Sequence, residues 1–96
     1  MSHRTQYPTG VSQADIFTQS GTAGASAAVD MGRGYEHIRI SNLDAAALLY
    51  VDMKGGTASA ADFGIPFSSI FEYDGPPIQT IALFSAGTPL YSILAW

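Results

Sequence analysis

Apolar and polar residues alternate along most of this chain, and the alternating runs are short. The clearest run is Tyr35–Leu43, where Ile38 and Ile40 point one way and His37, Arg39 and Ser41 the other. A period of two belongs to a half-buried antiparallel strand. Ala45–Lys54 follows, with Leu49, Val51 and Met53 on one face and Leu48, Tyr50, Asp52 and Lys54 on the other. Between the two stands Asn42-Leu43-Asp44, whose side chains can bond back to the backbone of a turn. The pair therefore reads as a hairpin. Ile78–Ser85 alternates likewise, and Leu90–Trp96 is apolar on both faces, as expected of a central strand or of one covered by a partner. Two weaker strands are expected earlier, at Ala14–Gln19 and at the small-residue stretch Ala25–Met31. The alanine content of the latter would suit helix, but glycines bracket it too closely for an isolated helix to persist.

Gly and Pro mark the boundaries. Turns are expected at Ser20–Gly24, Met31–Gly34, Gly55-Gly56 and Ser85–Pro89, and a loop at Thr57–Phe63. Gly64–Pro77 reads as one strand framed by Pro66 and by Asp74-Gly75-Pro76-Pro77, because the prolines exclude helix and should end a ladder. The sum is a single all-β domain over residues 14–96, a small antiparallel β-sandwich or barrel of about seven short strands. Residues 1–13, polar and carrying Pro8 and Gly10, read as an extended N-terminal arm.

Composition narrows the partners. The chain has 96 residues, no cysteine, and four Lys or Arg against eight Asp or Glu, for a formal net charge of −4. Without cysteine, neither a disulfide nor a thiolate metal site can support the fold. No basic patch is present to neutralise phosphates, so nucleic acid is not expected as a partner, and an acidic chain is poorly suited to an anionic membrane surface. Met1–Gln6 lacks the apolar core of a signal peptide, so the protein is expected to be soluble and made in the cytoplasm. Only 12% of residues are charged while 47% are apolar. That charge fraction is about half the usual one, which suits a surface partly covered by another protein.

Catalytic chemistry finds no constellation. His3 lies in the arm and His37 on the polar side of a strand, where adjacent Glu36 points to the opposite face. No Gly-x-Ser-x-Gly elbow and no phosphate loop occurs. Asp52, Asp62, Glu72 and Asp74 could supply a carboxylate pair of the glycosidase type, and Asp62 or Asp74 a calcium ligand. Nothing in their spacing brings them together, and Asp74-Gly75 reads as turn chemistry. The expectation is a protein that is not an enzyme, with no cofactor and no metal.

From residue 38 onward a family pattern is recognisable. It runs through Arg39-Ile40-Ser41-Asn42-Leu43, Leu49-Tyr50-Val51 and Gly56-Thr57-Ala58-Ser59-Ala60-Ala61-Asp62-Phe63-Gly64-Ile65-Pro66. It continues through Ile70-Phe71-Glu72-Tyr73-Asp74-Gly75-Pro76 and Ile81–Thr88, and closes at Ile93-Leu94-Ala95-Trp96. This resembles the small β-sandwich structural proteins of tailed bacteriophages: capsid decoration, or cement, proteins and related tail or fibre modules. The resemblance implies a virion component on the capsid exterior that binds the major capsid protein and stabilises the assembled head. It implies a homo-oligomer, a trimer in first place. The residues expected at the contact are Tyr7 and Pro8 in the arm and Tyr91 and Trp96 in the last strand. The alternative within the same resemblance is a tail or fibre module that binds a host-surface glycan, or another tail protein, through exposed aromatics.

Overall fold

The computed structural model describes residues 16–96. Six strands follow in chain order: β1 (Phe17–Thr22), β2 (Ala27–Asn42), β3 (Leu49–Asp52), β4 (Phe63–Ile65), β5 (Ser69–Phe84) and β6 (Leu90–Ala95). All pairings are antiparallel, in the order β1-β6-β2-β5-β3-β4. The all-β expectation holds: the described residues form six antiparallel strands in one open sheet, which does not close into a barrel. The expected arm, with Tyr7 and Pro8, lies outside the described residues.

The spine is the ladder between β2 and β5, each 16 residues long. Both run straight through positions where turns are predicted. Between Asp30↔Thr80 and Tyr35↔Ile78, β2 carries Met31–Gly34 opposite Gln79 alone. Between Tyr35↔Ile78 and His37↔Asp74 the surplus is reversed: β5 carries Gly75-Pro76-Pro77 opposite Glu36 alone. Two bulges on opposite strands bend the ribbon without cutting it. The prolines fall in the unpaired surplus, where no ladder donor is required of them. So the predicted stop at Asp74–Pro77 is a bend inside one strand, and Asp74 is a paired strand residue, not a turn residue.

Local contacts hold the bend. Gly32 has a φ of 88°, and its N–H donates to Asp30 Oδ1 at 2.9 Å, which also accepts from Gln79 Nε2 at 3.0 Å. Tyr73 donates its hydroxyl to the Pro76 carbonyl at 2.7 Å. At Gly34 the strands press together: a Cβ there would stand 2.7 Å from the Cβ of Pro77.

Beyond the bend the sheet widens on different sides. The C-terminal half of β2 takes β6 and then β1; the C-terminal end of β5 takes β3 and then β4. One cluster gathers the inward side chains of both halves, with Ile38, Ile40, Ile93 and Ala95 from the first and Leu49, Val51, Ile65, Ile81 and Leu83 from the second. The bulges also change the phase of burial along β2, from Val29, Met31 and Tyr35 to Ile38, Ile40 and Asn42.

The hairpin expected between Tyr35–Leu43 and Ala45–Lys54 does not form, since β3 pairs with β5 and β4. The connection is organised by buried Asn42, which is 1% exposed. Its Nδ2 donates to the carbonyls of Ala47, at 2.8 Å, and of Ile65, at 3.0 Å, while its Oδ1 accepts from Asp44 N–H. Asp44 then accepts from Ala46 and Ala47 N–H. Of the strand expected at Ala14–Gln19, the described part runs from Phe17 on through the predicted Ser20-Gly21 turn to Thr22, because pairing with β6 sets Gly21 opposite Tyr91.

Two measurements check this account. Gly34→Ala forces a Cβ onto Pro77 and is expected to lower stability in urea unfolding by about 1–3 kcal/mol, the usual cost of overpacking; an unchanged midpoint would mean the ribbon has slack at its bend. The second concerns acid. Asp30 is held below its ordinary pKa of 3.8 by the Gly32 N–H and then by Gln79. Asp44 is held below the same value by the Ala47 and then the Ala46 N–H. A depressed carboxylate contributes stability above its unfolded pKa and loses it as pH falls through the folded value. Stability should therefore fall on acidification below about pH 4, and Asp30→Asn/Asp44→Asn should show a shallower acid limb in thermal melts.

Candidate binding surface

The turn chemistry that closes one end of the sheet also exposes apolar side chains there. Leu43, just after β2, donates its N–H to the Leu90 carbonyl at the start of β6, at 2.9 Å. Register places Ser41 opposite Ile70 and Asn42 opposite Ser69, so the start of β5 lies at the same end. The β4–β5 turn is tied in through Ser68, whose N–H and hydroxyl both donate to the Asp44 carbonyl, at 3.0 and 3.2 Å. Ser68 has a φ of 56°, in the left-handed region that non-glycine residues seldom occupy. The two bonds to Asp44 hold that strained residue, and Phe67 beside it is held out in solvent.

The result is an apolar end built from Leu43, Phe67, Ile70 and Leu90, each at least 52% exposed; Leu48, just before β3, is 42% exposed. Phe63, also exposed, lies further along β4 against Phe71, with ring centroids 4.9 Å apart. Polar residues dominate ordinary turns, so leucine and phenylalanine in turns at Leu43 and Phe67 were the available sequence signal. Reading them only as strand residues or turn neighbours hid it.

A second surface lies on the outward face where β5, β2 and β6 run side by side. His37 Nδ1 is bonded to Asp74 Oδ1 across the β2–β5 pair. Two residues on, Arg39 Nε donates to Glu72 Oε2 at 2.9 Å. Trp96 stacks on the His37 ring at 5.3 Å and 15°, and the Arg39 guanidinium lies over the Trp96 ring at 5.5 Å. The terminal tryptophan is tied down by a reciprocal backbone pair with His37, at 2.8 and 3.1 Å. Its ring is thus engaged by His37 and Arg39. A His–carboxylate pair can orient an imidazole for proton transfer, but both side chains here are open to water, 43% and 72% exposed. The pairs work as a cross-strand ladder.

The other candidate residues resolve separately. Tyr91, expected at a partner contact, points inward and is 8% exposed, with its hydroxyl accepting from Gln19 Nε2 at 3.0 Å. Asp52 accepts from Lys54 N–H and Asp62 from Ser59 N–H. Asp52, Asp62, Glu72 and Asp74 therefore each bond to a different group. Among the described residues no cluster of three His, Cys, Asp or Glu could hold a metal ion. A depression of about 230 Å³ on the same half of the sheet is lined by Thr18, Gln19, Ser20 and Ser92.

No protein-family model and no curated protein matches the sequence. Among solved structures, the chain is similar to an ethanolamine utilization protein Q (EutQ) of Salmonella typhimurium LT2, with a TM-score of 0.50 and 13% identity over 90% of this chain and 63% of that one. The chain thus spans less than two thirds of that protein. It also aligns with PirA, at a TM-score of 0.47 and 9% identity over 82% of this chain and 92% of that one. A third alignment is with the STIV MCP, at 0.39 and 12% identity over 83% and 47%. The EutQ likeness places the fold among known β proteins and says nothing of activity; the other two are too remote to add to it.

The ring stack gives a direct measurement. In a double-mutant cycle of His37→Ala and Trp96→Ala, urea unfolding should return a coupling of about 0.5–1.5 kcal/mol, the range of aromatic pairs. Zero coupling would make the stack incidental to the fold.

Proposed function

We propose that this chain is a non-enzymatic virion structural protein, a phage capsid decoration protein that seats its apolar end on assembled capsid protein at the head exterior. The observation that carries this reading is the exposure of Leu43, Ile70 and Leu90 at the adjoining ends of β2, β5 and β6, with Phe67 in the turn beside them. Exposed apolar patches rimmed by polar groups mark protein contacts. Burying such a patch contributes about 25 cal/mol per Å², less the cost of association. The low charge fraction and the motif resemblance over residues 38–96 point the same way. The contact surface moves accordingly. It is the loop end of the sheet, with Trp96 at the far end of β6 and Tyr91 beneath the surface as support for Gln19 and β1. Repeated on a symmetric shell, many such contacts add through multivalency.

A second reading, a tail or fibre module that binds a glycan, draws on exposed Phe63 and Phe67 as stacking surfaces.

Binding to purified heads decides between them. Heads carrying the wild-type protein should keep their integrity to a higher temperature than heads without it. Leu43→Ser/Ile70→Ser should bind heads at least tenfold more weakly while melting like the wild type. Equal binding by the double variant, or heads indifferent to the protein, would sink the capsid reading. Retention on a glycan array that is lost in Phe67→Ala would favour the other.

A further inference from the structure

Among the described residues the sheet has two edges, β1 and β4, and they differ. β4 is three residues long, whereas β1 offers six, Phe-Thr-Gln-Ser-Gly-Thr, with no charge and no proline. Those are the devices by which natural edges repel further strands, and β1 lacks them.

The hydrogen-bond phase of β1 is fixed by its neighbours. Trp96 and His37 exchange both backbone bonds, and Leu43 N–H donates to Leu90. In an antiparallel pair, bonded positions recur every second residue, so Leu90, Ser92, Leu94 and Trp96 face β2. The odd positions Tyr91, Ile93 and Ala95 then face β1, where register sets Gly21, Gln19 and Phe17 opposite them. The bond from Ala23 N–H to the Pro89 carbonyl, at 3.0 Å, continues the same series. By elimination, the N–H and C=O groups of Thr18, Ser20 and Thr22 point away from the sheet along its open edge. The side chains of all three are exposed.

We infer that this edge is a self-association surface, on which a second copy of the chain adds its own β1 antiparallel across a two-fold axis at Ser20. The outward positions suit that symmetry. Ser20 meets Ser20 of the second copy, and Thr18 meets Thr22 on either side. Each pair is of the bonded type, which exchanges two backbone bonds, so three pairs supply about six. Hydroxyl faces hydroxyl across each pair, a favourable cross-strand match. Opposite the intervening Gln19 stands Gly21 of the second copy, so no bulk collides. The two sheets join into one that runs through the axis. An isologous contact of this kind closes at a dimer. A trimer would instead need β1 of one copy on the short β4 of the next. The inference stands on the edge geometry and is independent of the capsid reading.

The absence of cysteine makes the test specific. Ser20→Cys places a lone thiol on the axis, where a bonded pair holds Cα atoms about 5.5 Å apart, within disulfide reach. Under mild oxidant at micromolar concentration, full-length Ser20→Cys should become a covalent dimer at least tenfold faster than Thr18→Cys, whose thiols the axis keeps apart. Ser20→Lys sets like charges opposite each other on an exposed position and should weaken self-association at least tenfold in sedimentation equilibrium, with the melting temperature of the monomer retained. Equal cross-linking rates at the two positions, a wild type that stays monomeric at millimolar concentration, or a trimer at equilibrium would each overturn the proposal.

Discussion

Everything in this molecule hangs on one ladder that bends without breaking. β2 and β5 are each too long to lie flat over so small a core, and opposed insertions let the pair turn over on itself. Met31–Gly34 adds length to one strand and Gly75–Pro77 to the other, so the strands leave the bend shifted by only one residue. Because the ladder resumes in register, His37 meets Asp74 and Arg39 meets Glu72. Because it bends, β6 and β1 extend one half of the sheet, β3 and β4 extend the other, and the inward side chains of both reach one core. Asn42 then joins the halves through polar bonds, with one buried amide that serves the β2–β3 connection and the end of β4 together.

The sequence pattern was legible where burial alone decides the conformation. Tyr35–Leu43, Ile78–Ser85 and Leu90–Trp96 alternate, and each is largely strand, with Ile38 and Ile40 inward in the first. It misled where glycine and proline stand inside strands. These residues usually end a ladder, but here they occupy the surplus of a bulge, and only the register of the distant partner shows that. The missing hairpin has a similar cause, since Asn42 and Asp44 do make turn bonds but the turn leads to β5's far side and not back onto β2. On the surface, the polar face of His37 and Arg39 was readable, whereas their carboxylate partners lie on β5 and depend on pairing. The apolar end was overlooked because leucine and phenylalanine in short segments look like core.

The three surfaces occupy separate ground. β6 runs from Leu90, in the apolar end, to Trp96, in the ion-pair ladder, and six residues of strand span about 20 Å. A partner seated over Leu43 and Leu90 would leave the Trp96 cluster in water. The β1 edge runs alongside β6, between those two regions, with its backbone directed outward in the plane of the sheet. Contacts on the end and on the edge therefore do not compete for the same atoms.

The strand order carries a consequence for how the chain acquires its shape. Among the described residues β1 has β6 as its one neighbour, so the earliest strand described is matched to the latest. Closing the loop between these two strands is entropically costly before any contact repays it. Such non-local pairing makes for slow folding. Phe17–Thr22, which carries no charge, should wait while the remaining strands are assembled, and the sheet is completed by a strand that precedes the other five in the chain.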